Sequence, residues 1–160
     1  MIREIKMNVS QLRNLIIRVL TDLSMMSDSA VNLLLGTAAQ ESHLKYIKQW
    51  KGPALGLFQM EPETEHDIWN NYLIYHPKIT DTIGKITGHY QPGPWLEWDL
   101  AYQIIMARLH YRRVKDPLPK SDDIKGMAEY WKIHYNTPLG AGTVNEFKSN
   151  YDLIINKSGR

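Results

Sequence analysis

Few residues in this chain could move a proton near neutral pH, and they can be taken one by one. Glu41 stands apart because of what precedes it. From Ala30 to Ala39 there is no charge, and Asn32 and Thr37 are the only polar breaks. Polarity then switches abruptly at Gln40-Glu41-Ser42-His43. A carboxyl at the rim of an apolar element is partly desolvated, which raises its pKa and keeps a proton on it near neutral pH. A general acid needs that property. Glutamates in a last helical turn are also ordinary solvated surface, so Glu41 needs partners from elsewhere in the chain.

Other chemistries lack their residues. There is no cysteine, which excludes a thiol nucleophile, a thiolate zinc site and a disulfide framework. The histidines are His43, His66, His76, His89, His110 and His134, with no H-E-x-x-H and no pair at i, i+4. Glu41-x-His43 is not a helical ligand spacing. No metal site and no cofactor are therefore expected. A phosphate loop and a G-x-S-x-G nucleophile elbow are both missing. Most glycosidases flank the bond they cleave with two carboxyl groups. Here Glu41 is the sole acid from Val31 to Gly56, and the next is Glu61. Glu61, Glu63, Glu65 and Asp67 sit at or just inside a helix start, where the dipole favours acids in any case. A mechanism with a single acid fits this distribution.

The elements that must position Glu41 are helices. Ser27 to Ser42 reads as a buried helix, capped by Ser27 or Asp28, with Leu33, Leu34 and Leu35 on successive faces. Gly36 in its interior costs roughly 1 kcal/mol against alanine, a cost that close passage of another backbone would justify. Before it, residues 1–9 read as a short leader. Ser10 then caps an amphipathic helix carrying Leu12, Leu15, Ile16, Val19, Leu20 and Leu23. After Glu41 the period is lost, and Gly52-Pro53 marks a turn. Pro62 and Thr64 open a helix with Ile68, Trp69, Tyr72 and Leu73 inward, ending by Pro77. Residues 78–93 read as a loop with a short helical turn. A long helix follows from Trp95 to about Val114, and Arg108, Arg112, Arg113 and Lys115 gather toward its end. That cluster is either a patch for an anionic polymer or a solvated last turn favoured by the dipole. Ser121 or Asp122 caps a helix from Asp123 to Tyr135. Asn136 to Gly142 is a loop, and Thr143 with Glu146 forms a reciprocal cap for a last helix with Phe147, Tyr151, Ile154 and Ile155. The fold class is mainly α: one domain over residues 1–160, of about six helices with irregular connections.

Three stretches in order carry a likeness to a known family. They are Gln40-Glu41-Ser42, then Gly56-Leu57-Phe58-Gln59-Met60-x-Pro62-x-Thr64, then Tyr135-Asn136 before a glycine-containing loop. Together they resemble the successive motifs of the soluble lytic transglycosylase (SLT) domain of the lysozyme-like superfamily. The stretch YWKIHYNTPLGAGTVNEF is similar to small phage-encoded proteins of that type. The likeness covers about residues 28 to 145. It implies a lysozyme-like fold and an enzyme that cleaves the β-1,4 bond between N-acetylmuramic acid and N-acetylglucosamine in peptidoglycan. It implies Glu41 as the catalytic carboxyl, Tyr135 as the phenol beside it, and Ser42, Phe58, Gln59 and Asn136 as residues of the sugar-binding cleft. Three stretches depart from the family pattern, one of them the usual Asn-Ile before a glycine, where Asp99-Leu100 and Gln103 stand. Gly52-Pro53-Ala54-Leu55-Gly56 lacks the usual serine, and Thr137-Pro138 stands where Ala-Gly is usual.

Composition sets the remaining bounds. The 160 residues are 43% apolar and 22% charged, which is ordinary for a globular domain with a core of its own. The net charge of +2 is too small to argue for nucleic acid. MIREIKMNVS has no apolar h-region, and no apolar run reaches 18 residues, so neither a membrane span nor signal-directed export is expected. Five Trp and nine Tyr suit a cleft that stacks sugars, and equally an ordinary core. The resemblance implies the peptidoglycan glycan strand as partner, with other virion proteins as further partners. The expected location is the virion or the host cell, with the wall reached by virion delivery, a holin or lysis. Two further readings stay open: a goose-type hydrolase on the same scaffold, and a virion structural module that has lost turnover.

Overall fold

The computed structural model describes residues 6–157. Eight α-helices follow one another among them, with a 3-10 turn, two π-helical turns and isolated bridges in place of extended strands. They are α1 Val9–Asp22, α2 Asp28–Ser42, α3 Pro62–Asn71, α4 Pro77–Thr87, α5 Trp95–Trp98, α6 Leu100–Arg112, α7 Ile124–Trp131 and α8 Val144–Asn150. The fold is mainly helical, as the hydrophobic pattern implies, with eight α-helices where about six are expected: α4 and the short α5 are the additions.

Helix α2 is the centre of the molecule. Ser27 caps it, its hydroxyl accepting from Ala30 N at 3.1 Å. Ala30, Val31, Leu33 to Ala39 and Ser42 are all buried, because α1, α6, α7, α8 and the turn after α8 pack around it. A helix apolar on all sides has no other stable location. The buried hydroxyl at its middle is satisfied: Thr37 Oγ1 donates to Leu33 O and shares a 2.8 Å bond with the Tyr111 hydroxyl. At Gly36 the close approach comes from rings rather than from a backbone. A Cβ there would lie 2.4 Å from Phe147 Cζ and 2.9 Å from Tyr151 Cδ2.

Several boundaries differ from expectation. Asn8, not Ser10, caps α1, its side chain accepting from Gln11 N at 3.0 Å. Of the expected leader, residues 1–5 lie outside the described residues, while Met7 donates its N–H to Leu44 O at 3.0 Å. Pro77 starts a helix instead of ending one, and most of the expected 78–93 loop is α4. Its Ile83 is buried, Lys85 pairs with Asp81 one turn earlier, and Gly88 ends it at φ 78°. The expected long helix from Trp95 is broken at Asp99, whose extended backbone and side chain cap α6 through Tyr102 N at 3.1 Å. Asp123, rather than Ser121 or Asp122, caps α7 by accepting from Gly126 N at 2.8 Å. The helix then loosens into a π turn, Lys132–Asn136. Thr143 and Glu146 cap α8 reciprocally, as their spacing implies.

The basic cluster at the end of α6 is divided between buried and solvated residues. Arg108 is buried and donates to Met25 O at 3.3 Å, and Arg113 pairs with Asp67. Arg112 and Lys115 are exposed. Among the described residues no helix is long and apolar enough to cross a membrane.

Candidate active site

Two left-handed residues, His43 (φ 52°) and Leu44 (φ 59°), end α2 and throw the chain outward immediately after Glu41. Leu44 is buried, which anchors the exit. The following segment folds back on itself through bridges of Leu55 with Lys48 and with Met60. Gly56 makes this possible. Its φ is 75°, and a Cβ would lie 2.6 Å from Leu96 O. The next amide, Leu57 N, donates to Gln103 Oε1 at 2.8 Å. Gln59 follows at φ 48°, a conformation that costs a non-glycine residue roughly 1 kcal/mol. Such strain concentrates at functional sites.

These turns build one wall of a cleft of about 600 Å³, lined by Glu41, Gln59, Glu61, His110, Tyr135 and Asn136 among others. The far wall is the loop after the π turn. Lys132 Nζ clamps it, donating to Asn136 Oδ1 at 2.7 Å and to Gly140 O at 2.8 Å. Thr137, at φ 72°, begins the loop in a strained conformation. Four of the six expected site residues, Glu41, Gln59, Tyr135 and Asn136, therefore meet in one cleft, although 95 positions separate the first from the last.

Glu41 has the environment a general acid requires. Burial raises its pKa from 4.5 to about 7, against the opposing effect of a hydrogen bond from Trp131. The indole Nε1 donates to Glu41 Oε1 at 2.9 Å. Tyr135 does not make that bond. Its hydroxyl donates to Phe58 O at 2.8 Å. Its ring packs edge-on against His110 at 5.0 Å and tilted against Tyr111 at 5.3 Å. Burial, and then the nearby Glu41 charge, hold the Tyr135 phenol well above its usual pKa, so it is a neutral donor. His110 is also neutral: burial and then the Arg113 charge lower its pKa to about 4. Its Nδ1 accepts from Arg113 Nη2 at 3.1 Å.

Two expected sugar contacts are corrected. Ser42 is buried, donating to Ala38 O at 3.0 Å and accepting from Leu44 N at 3.3 Å. Its hydroxyl closes the helix end and does not reach the cleft. The Phe58 ring is also in the core, and that residue contributes its carbonyl, as the acceptor that fixes Tyr135. Gln59 lines the cleft while its Nε2 donates to Gly56 O at 2.9 Å, which leaves its carbonyl oxygen available to a ligand amide.

The sequence reading missed Trp131, Lys132 and His110. Trp131 precedes Tyr135 by one turn on the same helical face, but a tryptophan among apolar neighbours reads as core. Nothing local marks Lys132 or His110. Of the other acids, Asp67 is held by Arg113 and Asn71, and Asp99 by Tyr102 N and His89. Among the described residues, Glu61 is the acid that shares the cleft lining with Glu41. Among the described residues, no group of three or more His, Cys, Asp or Glu comes together to hold a metal ion.

Beside the cleft lies a second hollow of about 630 Å³, lined by Glu41, Tyr46, Lys48, Gln49, Trp50 and Gln59. Glu41, Gln49 and Gln59 line both, so the two hollows adjoin at these side chains. No protein-family model, curated protein or solved structure matches the chain.

Proposed function

We propose that this chain is a lysozyme-like lytic transglycosylase that cleaves the β-1,4 bond between N-acetylmuramic acid and N-acetylglucosamine in peptidoglycan. The observation that carries the reading is the placement of Glu41: a carboxyl whose pKa burial raises to about 7, held by Trp131 in a cleft with Gln59, Tyr135 and Asn136. Glu41 gives its proton to the bridging glycosidic oxygen as the C1–O bond breaks. The substrate's own N-acetyl oxygen closes on C1 and takes the place of a second protein carboxylate. The Glu41 carboxylate then removes the C6 hydroxyl proton as that oxygen attacks C1. The sugar leaves as a 1,6-anhydro product, and Glu41 is protonated again. Gln59 and Asn136 supply amides to orient the acetamido groups, and the neutral Tyr135 fixes the wall through Phe58 O.

One observation favours a second reading. Glu61 is exposed in the same cleft, at the start of α3, and makes no capping bond there. A carboxylate across from the acid can activate water and turn the reaction into hydrolysis. The two readings separate on product mass when purified protein is incubated with muropeptide glycan strands. Anhydro ends are expected, unchanged in Glu61→Gln and lost in Glu41→Gln. Reducing ends, heavier by one water and lost in Glu61→Gln, would establish the hydrolase instead. A phage virion or lysis context accords with this chemistry, which needs access to the cell wall.

A further inference from the structure

The segment that leaves α2 after Glu41 carries an unusual surface. From His43 to Met60 there are three lysines, Lys45, Lys48 and Lys51, and no acid. Tyr46 is 55% exposed and Trp50 86% exposed, large aromatic areas to leave in water. Lys45 Nζ lies 5.5 Å from the Tyr46 ring centre and Lys51 Nζ 5.9 Å from that of Trp50. Among the described residues neither Lys48 nor Lys51 is in an ion pair. The segment is built rather than loose. Gln49 N donates to Ala54 O at 2.9 Å, Ala54 N to Gln49 Oε1 at 3.1 Å, and Gly56 N to Ile47 O at 2.8 Å. Tyr46, Lys48 and Trp50 line the second hollow together with Glu41 itself, and Lys51 lies beside Trp50 at its edge.

We propose that Lys48, Lys51 and the Tyr46–Trp50 aromatic pair form a binding platform for the anionic peptide stem of the glycan strand, so that this protein selects stem-bearing over bare glycan. The proposal rests on the glycan-cleaving reading of the cleft. The stem is attached through the lactyl ether of N-acetylmuramic acid, next to the bond Glu41 would break, and it ends in free carboxylates. An ammonium group recognises a carboxylate by charge-assisted hydrogen bonding, and exposed aromatic faces cover the apolar stem residues. The other anion of many walls is a phosphate polymer carried on C6 of the same sugar. It is disfavoured here because the proposed reaction needs a free C6 hydroxyl.

The test is binding of three fluorescent probes to the full chain. They are a stem-bearing tetrasaccharide, the same glycan stripped of peptide by an amidase, and a glycerol-phosphate polymer. The stem-bearing probe is expected to bind about tenfold tighter than the stripped one, the gain of two exposed ion pairs. That preference weakens with added salt. It falls toward unity in K48E/K51E and survives in K48R/K51R, which controls for folding. Equal affinity for stemmed and stripped glycan, no binding of either, or tightest binding of the phosphate polymer overturns the proposal. Stem-selective binding without cleavage supports the platform while removing the reading of Glu41 as an acid.

Discussion

At the residue scale the site comes down to Glu41 and the groups that set its proton affinity. Burial and the indole bond act in opposite directions, so the two can be separated by substitution. Trp131→Phe removes the N–H and leaves a small void at a fully buried site, so the pH limb, rather than the rate alone, reports the lost donor. The carboxylate loses a donor, its pKa rises, and the alkaline limb of the rate profile is expected to move up by about half a unit or more. A purely structural role for Trp131 would lower the rate and leave that limb in place. Glu41→Gln is expected to reduce cleavage by about a thousandfold, the range of a lost general acid. Glu41 was legible in the sequence because its cause is local, an apolar run that stops at a charge. Trp131 was not, because its bond spans 90 positions and tryptophan on an apolar face reads as core. Ser42 and Phe58 misled for a related reason. Adjacency in sequence carried them into the site, while their side chains point into the core.

At the element scale, the cleft depends on α2 holding one end of Glu41 and on the loop after α7 holding the opposite wall. Gly36 sets how closely α8 approaches α2. Gly36→Val forces a side chain against Phe147 and Tyr151 and is expected to cost about 1–3 kcal/mol, the usual range for overpacking, measured by denaturant unfolding. Lys132→Met releases Asn136 and Gly140 together. The expected outcome is a KM raised about fivefold with kcat little changed, since a looser wall weakens substrate and transition state alike. A fall in kcat at constant KM would assign Lys132 to the chemical step instead. Helices with sharp polarity patterns were readable from sequence. Helix α4 was not, because in the sequence Pro77 reads as a stop and Gly84 as loop, whereas proline suits a first turn and that glycine lies against the Tyr90 ring. The break at Asp99 was hidden by apolar residues on both sides. The π turn has no sequence signature, yet such turns recur at functional sites.

At the scale of the whole molecule the site has a cost in stability that varies with pH. Glu41 in the folded state keeps a proton that the unfolded chain releases above 4.5. Its contribution is therefore fully present below 4.5 and is lost as pH rises through about 7, a difference of about 3 kcal/mol. His110, lowered to about 4, works the other way. Its contribution is present above its ordinary value of 6.5 and fades as pH falls through about 4. The two offset each other between 4.5 and 6.5. Glu41→Gln removes one side of that balance, so the variant is expected to be more stable than the wild type at pH 8 by about 1–3 kcal/mol and equal to it near pH 4. Thermal or urea unfolding at both pH values measures this. A variant less stable at pH 8 would mean that the carboxylate is not strained by burial. The most direct measurement of the central claim is the pH dependence of glycan-strand cleavage by wild type and Glu41→Gln. The wild-type rate should fall along one limb centred near pH 7, where Glu41 loses its proton, and the variant should show almost no cleavage at any pH. A wild-type rate that stays level through neutral pH into alkali, or cleavage undiminished in the variant, would contradict it.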